Sequence, residues 1–457
     1  MELNESRRME LKRDLGTWPA ISIVVGTVIG SGIFLVPRTM IQQVGTVPAV
    51  FAVWVVGGLL SLAGALSYAE LAAAIPEAGG EYAYLREAYG PMWGFLYSWA
   101  QLWVAKSGSI ATLGTGFFLY LTNFFPSMDT VFYSVPLPIG PHGGPLDIRS
   151  GQIFAIVLIL LLAWLNYYGV KLGGNVQVAV TAVKVALIAF VIIAGIGFGH
   201  PHAMSVGAIA PLTFHGFIAA LVAALWAYDG WNNVSMVSSE IREPQRNLPL
   251  ALIGGTLGVI GIYLLANIAY FRVMTPAEVA GGTRVAADMM RKVMDGFGAN
   301  AVSIAAMISI FAALNGSILS GARVPYAAAR QGLFFRAIGN VSPKHRTPGV
   351  SIIVLTLWAC LLVLSGRYDD LFNLVIFASW ILYGMTAAAV IVLRRKQPAL
   401  PRPYRTLGYP FVPLLFIIAA VILIVSTAID RPRESGMGIC LILAGLPFYF
   451  YWKRQRQ

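Results

Sequence analysis

The chain has 457 residues, of which 58% are hydrophobic and only 11% charged, and its mean hydropathy is +0.73. Soluble domains carry about 25% charged residues, so composition excludes a soluble protein and predicts a polytopic, all-α membrane protein. The net charge of +12 does not point to nucleic acid, because the basic residues sit in short loops between apolar runs, where membrane orientation places them.

The N-terminus carries Glu2, Glu5, Arg7, Arg8, Glu10, Lys12, Arg13 and Asp14 and leads straight into a full-length apolar run. That pattern predicts a cytoplasmic segment, 1–17, rather than a cleavable signal. Twelve spans follow, at 18–40, 47–74, 91–121, 151–168, 175–198, 213–238, 249–271, 300–330, 349–364, 369–393, 409–429 and 436–452. The proline- and glycine-rich connection 125–150 reads as an ordered surface loop. With both termini in the cytoplasm, inside segments hold 20 lysines and arginines and outside segments 9, the bias expected of a multi-pass protein of the cell membrane surrounded by lipid.

Two spans are interrupted where a membrane helix ought to be continuous. Span 1 contains Gly30-Ser31-Gly32 and span 6 contains Tyr228-Asp229-Gly230. Unpaired backbone groups in hydrocarbon cost several kcal/mol, so such breaks need a reason. The usual one is a solute bound at matching places in two halves of a transporter. The offset of five spans predicts two five-helix halves of inverted topology, spans 1–5 and 6–10, forming a core at 18–393. Residues 394–457 would add spans 11 and 12 and a cytoplasmic C-terminus.

Glycines at 30 and 32 let the backbone unwind and a ligand approach closely. The N–H groups freed at Ser31 and Gly32 then start a half-helix, whose positive dipole end suits a carboxylate. Small residues also pack helices together, but these glycines are two apart and do not share a helix face. Around Ala227 and Gly230 the complementary break frees carbonyls, which suit an ammonium. A carboxylate acceptor facing an ammonium acceptor describes an α-amino acid. Trp226 would wall or cover it, unless it merely packs. Three roles are open to Asp229: binding the substrate ammonium, binding a cationic side chain, or capping the broken helix.

Lys184 lies inside span 5, where a bare ammonium is costly. Three roles are open to it: standing in for a sodium ion between spans 1 and 5, carrying a proton, or forming a structural ion pair. Lys106, Glu70 and Arg323 read as snorkelling groups or gate salt bridges near span ends. Cys360 and Cys440 read as small buried hydrophobes. His200 and His202 read as a solvated loop pair. No metal site, cofactor motif or catalytic signature is present, and no enzyme activity is expected.

Several segments together resemble the amino acid–polyamine–organocation superfamily, in particular its L-type amino acid transporter branch with bacterial relatives. They are Val25–Phe34, Tyr68-Ala69-Glu70-Leu71, Gly79–Tyr84, Ala227–Asn232, Glu240, Asn247-Leu248-Pro249, Asn315-Gly316-Ser317, Arg394–Pro398 and Gly445-Leu446-Pro447. The resemblance implies a LeuT-type fold and alternating access, with substrate contacts at Val28, Ile29, Gly30, Ser31, Gly32, Trp226, Ala227, Asp229 and Gly230. It makes Trp226 the aromatic gate and Lys184 the substitute for the sodium site. It also implies exchange of one amino acid for another. Mammalian members usually have glycine where this chain has Asp229. Heteromeric members carry a cysteine between spans 3 and 4 for a heavy-chain partner; residues 122–150 have none, so no disulfide-linked partner is expected. The leading expectation is a sodium-independent exchanger of neutral L-amino acids. The runner-up is a proton-coupled importer of cationic amino acids or polyamines.

Overall fold

The computed structural model describes residues 11–136, 145–198, 209–282, 284–365 and 368–455, with positions 368–374 and 376 described by backbone alone. His200 and His202 lie outside the described residues. Among the described residues, eight helices are long and apolar enough to cross a membrane, and the bent pair Thr17–Val28 and Gly32–Val44 makes nine. The other three expected spans take different forms. Span 3 is Pro91–Ala100, a wide π-helical turn at Gln101–Ala105, and Lys106–Leu121. Span 6 is Phe214–Ala227 followed by the short helix Asn233–Met236, and span 9 is Gly349–Leu364. Span 8 starts earlier than expected, at Val285, because a kink at Met294 and Asp295 joins a preceding helix to it. The loop after span 3 contains a short antiparallel pair of strands, Val131–Val135 and Leu146–Arg149.

Corresponding helices of the two expected halves pack on each other: span 1 on 6, 2 on 7, 3 on 8 and 4 on 9. Span 2, Val47–Ala74, has 61% of its most apolar window buried, against 22% for span 11, Phe411–Asp430, so span 2 is interior and span 11 faces lipid. Lipid exposure also accounts for Cys440, which is exposed rather than buried: a membrane helix is apolar on its outer face too, so an apolar run does not report contact with protein. Cys360 is buried as expected.

Two ion pairs, made by four charged residues, tie helix ends together. The Arg323 guanidinium grips Glu240 through two hydrogen bonds of 2.6 and 3.0 Å, and both side chains are fully buried. Glu70 accepts from Arg394 at 2.9 and 2.7 Å and from the Thr406 N–H at 2.7 Å. These two pairs fit the expected gate salt bridges. The N-terminal segment joins the first of them. Leu15 N–H donates to the Glu240 carbonyl at 3.0 Å, and Arg242 N–H donates back to Leu15 at 2.8 Å.

Removing one partner of a buried ion pair leaves an uncompensated charge and costs about 3–5 kcal/mol. Glu240→Ala is therefore expected to lower the thermal unfolding midpoint in detergent more than Glu70→Ala, whose orphaned Arg394 is 22% exposed and reaches solvent.

Candidate functional site

The two breaks face each other. Span 1 leaves helical geometry after Val28 and restarts at Gly32, bending by 41°. Span 6 leaves it after Ala227, and Gly230 adopts φ +108°, a left-handed conformation that favours glycine. A Cβ on Gly230 would also stand 3.1 Å from the Thr27 backbone, and one on Gly32 would stand 2.8 Å from Ala227 Cα. The glycines thus let two unwound backbones touch. The Thr27 hydroxyl closes the contact by donating to the Gly230 carbonyl at 2.8 Å.

The carbonyls freed by unwinding have partners. Tyr263 of span 7 donates its hydroxyl towards Val28 O at 3.0 Å and Ala227 O at 2.8 Å, so one phenol bridges both breaks. Trp54 packs edge-on against Tyr263 and Tyr228, at 5.1 and 5.6 Å between ring centroids, and fixes their positions. Ser309 of span 8 donates to Ile29 O at 2.7 Å. Lys184, fully buried, donates to Gly26 O at 2.8 Å, to Ser309 O at 3.2 Å and to Ile29 O. The ammonium of span 5 thus lies against the break of span 1, as the sequence predicts.

A cavity of about 70 Å³ opens at the breaks. Every predicted contact residue except Ile29 lines it: Val28, Gly30, Ser31, Gly32, Trp226, Ala227, Asp229 and Gly230. Ile29 is fully buried, and its carbonyl is turned to Lys184 and Ser309. Lys184 stands behind the cavity rather than in its wall. The Asp229 carboxylate accepts the Tyr383 hydroxyl at 2.8 Å.

Lys106 corrects the sequence reading. It does not snorkel to a span end but is 8% exposed, lines the cavity and donates to Asn233 Oδ1 at 2.6 Å. The π turn just before it widens the helix, with the Ser107 hydroxyl reaching five residues back to Leu102 O at 2.5 Å. π turns interrupt helices frequently at functional sites. Ser109, Thr112, Asn233, Ser317, Ser379 and Trp380 also line the cavity and went unread. A signal existed for the first two: polar residues at 106, 109 and 112 recur every three positions and share a helix face. Beside the site, Glu81 is fully buried and accepts from Asn232 and, at 3.4 Å, from the Ser235 hydroxyl.

Tyr263→Phe removes the hydroxyl donor of the Ala227 carbonyl, while Val28 O keeps the Gly30 N–H, at about 1–3 kcal/mol for a group left unpaired. The expected result is a lower melting midpoint together with slower uptake of labelled amino acid. Gly32→Val is expected to abolish amino acid binding in a scintillation proximity assay, because its side chain would occupy the space of Ala227.

Comparison with known proteins agrees with this architecture. A family model described as amino acid permease matches residues 15–444. The serine/threonine exchanger SteT of Bacillus subtilis is 33% identical over 452 residues, covering 98% of both chains. The b(0,+)-type amino acid transporter 1 of Mus musculus is 34% identical over 461 residues, covering 98% of this chain and 89% of that one. The large neutral amino acids transporter small subunit 2 of Oryctolagus cuniculus is 31% identical, covering 97% and 82%. With its broken spans and these relatives, the chain belongs to the amino acid permease family of the amino acid–polyamine–organocation superfamily and is a multi-pass membrane transporter of amino acids.

Proposed function

We propose that the protein exchanges neutral L-amino acids across the cell membrane by alternating access, without sodium. The observation that carries this reading is the pair of apposed helix breaks lining one cavity. In this reading the substrate carboxylate binds the N–H groups at Ser31 and Gly32, and the ammonium binds carbonyls near Val28, Trp226 and Asp229. Trp226, which lines the cavity, is the gate. The Val28 carbonyl already accepts from the Gly30 N–H at 2.8 Å and from the Tyr263 hydroxyl at 3.0 Å, so an ammonium there has to displace one of these donors.

Sodium independence rests on Lys184. Its three N–H donors meet three backbone carbonyls, those of Gly26, Ile29 and Ser309, a set of oxygens that would suit a cation. The fixed ammonium supplies that charge permanently. Exchange is supported by the name of the Bacillus subtilis relative. The 20-to-9 distribution of basic residues supports both termini in the cytoplasm. Residues 1–17, 18–393 and 394–457 then form the N-terminal segment, the transport core and the added spans with the C-terminus. The absence of cysteine from residues 122–150 supports function without a disulfide-linked heavy chain.

The alternative, proton-coupled import of cationic amino acids or polyamines, needs Asp229 as acceptor for a second positive charge. That carboxylate already accepts the Tyr383 hydroxyl, and the Lys106 ammonium shares its cavity, which favours the neutral substrate.

Labelled uptake into proteoliposomes with and without internal unlabelled amino acid tests the proposal. Uptake is expected to require internal amino acid and to be indifferent to sodium and proton gradients; proton-driven uptake into empty vesicles would replace exchange with symport. Lys184→Ala is expected to cut exchange at least tenfold, and unchanged rates would remove the lysine from the cation role.

A further inference from the structure

One corner of the molecule gathers positive charge without its counterpart. Residues 148–228 and 296–368 contain no aspartate or glutamate, and the fold brings an end of each stretch together. Span 4 ends at Tyr167 and span 5 begins at Val170. The loop before span 9 lies on that turn: the Thr347 hydroxyl donates to Tyr167 O at 2.7 Å. The rings continue the contact, with His345 at 4.8 Å from Tyr168 and Tyr168 at 4.9 Å from Trp164 between centroids. The loop is closed on itself. Arg346 N–H donates to Ser342 O, and Ser342 N–H donates to Thr347 O, both at 2.9 Å. Arg346 takes φ +56°, a left-handed conformation that a residue with a Cβ keeps only where its surroundings enforce it. Three cations flank these rings. Lys344 and Arg346 stand on either side of His345, and Lys171 follows Tyr168 by three residues. All three are exposed, and among the described residues none of them makes an ion pair.

The same corner marks a level in the bilayer. Leu160, Leu161 and Trp164 of span 4 are exposed, so this face of the helix is turned to hydrocarbon. Tryptophan and tyrosine at a span end mark the boundary between hydrocarbon and headgroups, and the three cations lie just past Trp164 and Tyr168. We propose that Lys171, Lys344 and Arg346 bind the phosphate of an anionic phospholipid, whose acyl chains lie along Leu161 and Trp164. Charge complementarity selects this occupant. Basic pockets between membrane helices attract anionic headgroups, and ammonium and guanidinium groups make strong hydrogen bonds to phosphate oxygens. A zwitterionic headgroup brings its own ammonium into an acid-free corner and gains less. The site does not depend on the exchanger reading. None of its residues lines the substrate cavity.

Native mass spectrometry of the full-length protein in detergent tests the site, with phosphatidylglycerol and phosphatidylcholine of the same acyl chains as probes. The first phosphatidylglycerol is expected to bind about tenfold more tightly than phosphatidylcholine and to raise the melting midpoint. The combined variant Lys171→Gln, Lys344→Gln and Arg346→Gln is expected to lose both the preference and the shift. A matched variant, Arg336→Gln, Lys453→Gln and Arg454→Gln, removes the same charge from other exposed positions and is expected to keep both. If the first variant does not stay monodisperse in size-exclusion chromatography, Lys171→Gln and Arg346→Gln alone decide, each weakening phosphatidylglycerol severalfold. Equal binding of the two lipids by the wild type overturns the site. Equal losses in the two combined variants overturn it too, because diffuse attraction then accounts for the binding. Displacement of phosphatidylglycerol by an equal concentration of inorganic phosphate overturns the lipid as its occupant.

Discussion

A backbone that unwinds inside a membrane has no water to turn to, and this constraint organises the centre of the molecule. The carbonyls of Gly26, Val28, Ile29, Ala227 and Gly230 have to be matched by groups from other helices, and four side chains do so. Lys184 comes from span 5, Tyr263 from span 7, Ser309 from span 8 and Thr27 from span 1 itself. Each donor is held by its own helix, so unwinding spans 1 and 6 dictates where spans 5, 7 and 8 lie. The breaks are not weak points inserted into a finished bundle; the bundle is arranged to satisfy them.

This division of labour explains how a polar cavity persists among apolar helices. Carbonyls behind the cavity are matched by side chains of neighbouring helices. Ser31 and Gly32, at the start of the second half of span 1, line the cavity itself. The chain also places one cation and one anion, Lys106 and Asp229, in the same cavity wall, so its formal charge balances before any zwitterion arrives. A substrate of zero net charge leaves that balance unchanged.

Much of this was legible in the sequence because breaks in hydrocarbon leave few alternatives. Gly30-Ser31-Gly32 and Asp229-Gly230 located both of them, and Lys184 was traceable to them because a lone ammonium in an apolar span has to find oxygen. Lys106 was misplaced for a physical reason. An unbroken helical period cannot distinguish a face towards lipid from one towards a cavity, and the π turn at Gln101–Ala105 shifts the phase of the residues after it. Tyr263 was invisible because a tyrosine inside a span is ordinary; only the carbonyls at its tip reveal its role. Cys440 shows the converse, an apolar neighbourhood made of lipid rather than protein. The count of twelve spans exceeds the nine helical units that meet the length and apolarity expected of a crossing, because spans 3, 6 and 9 are short or interrupted.

The link between Leu15 and Glu240 has a mechanical meaning. The first half of span 1 is pinned at its outer end by the backbone of a residue whose side chain is itself clamped to Arg323, and at its inner end by the ammonium of Lys184. A rod fixed at both ends turns only if one fastening lets go, and here the end away from the cavity is held by two backbone hydrogen bonds. The half-helix is thus anchored at both ends, by Glu240 before it and by Lys184 at the break. Tags or labels fused before residue 11 leave the anchor at Glu240 untouched, whereas truncation past Leu15 removes it.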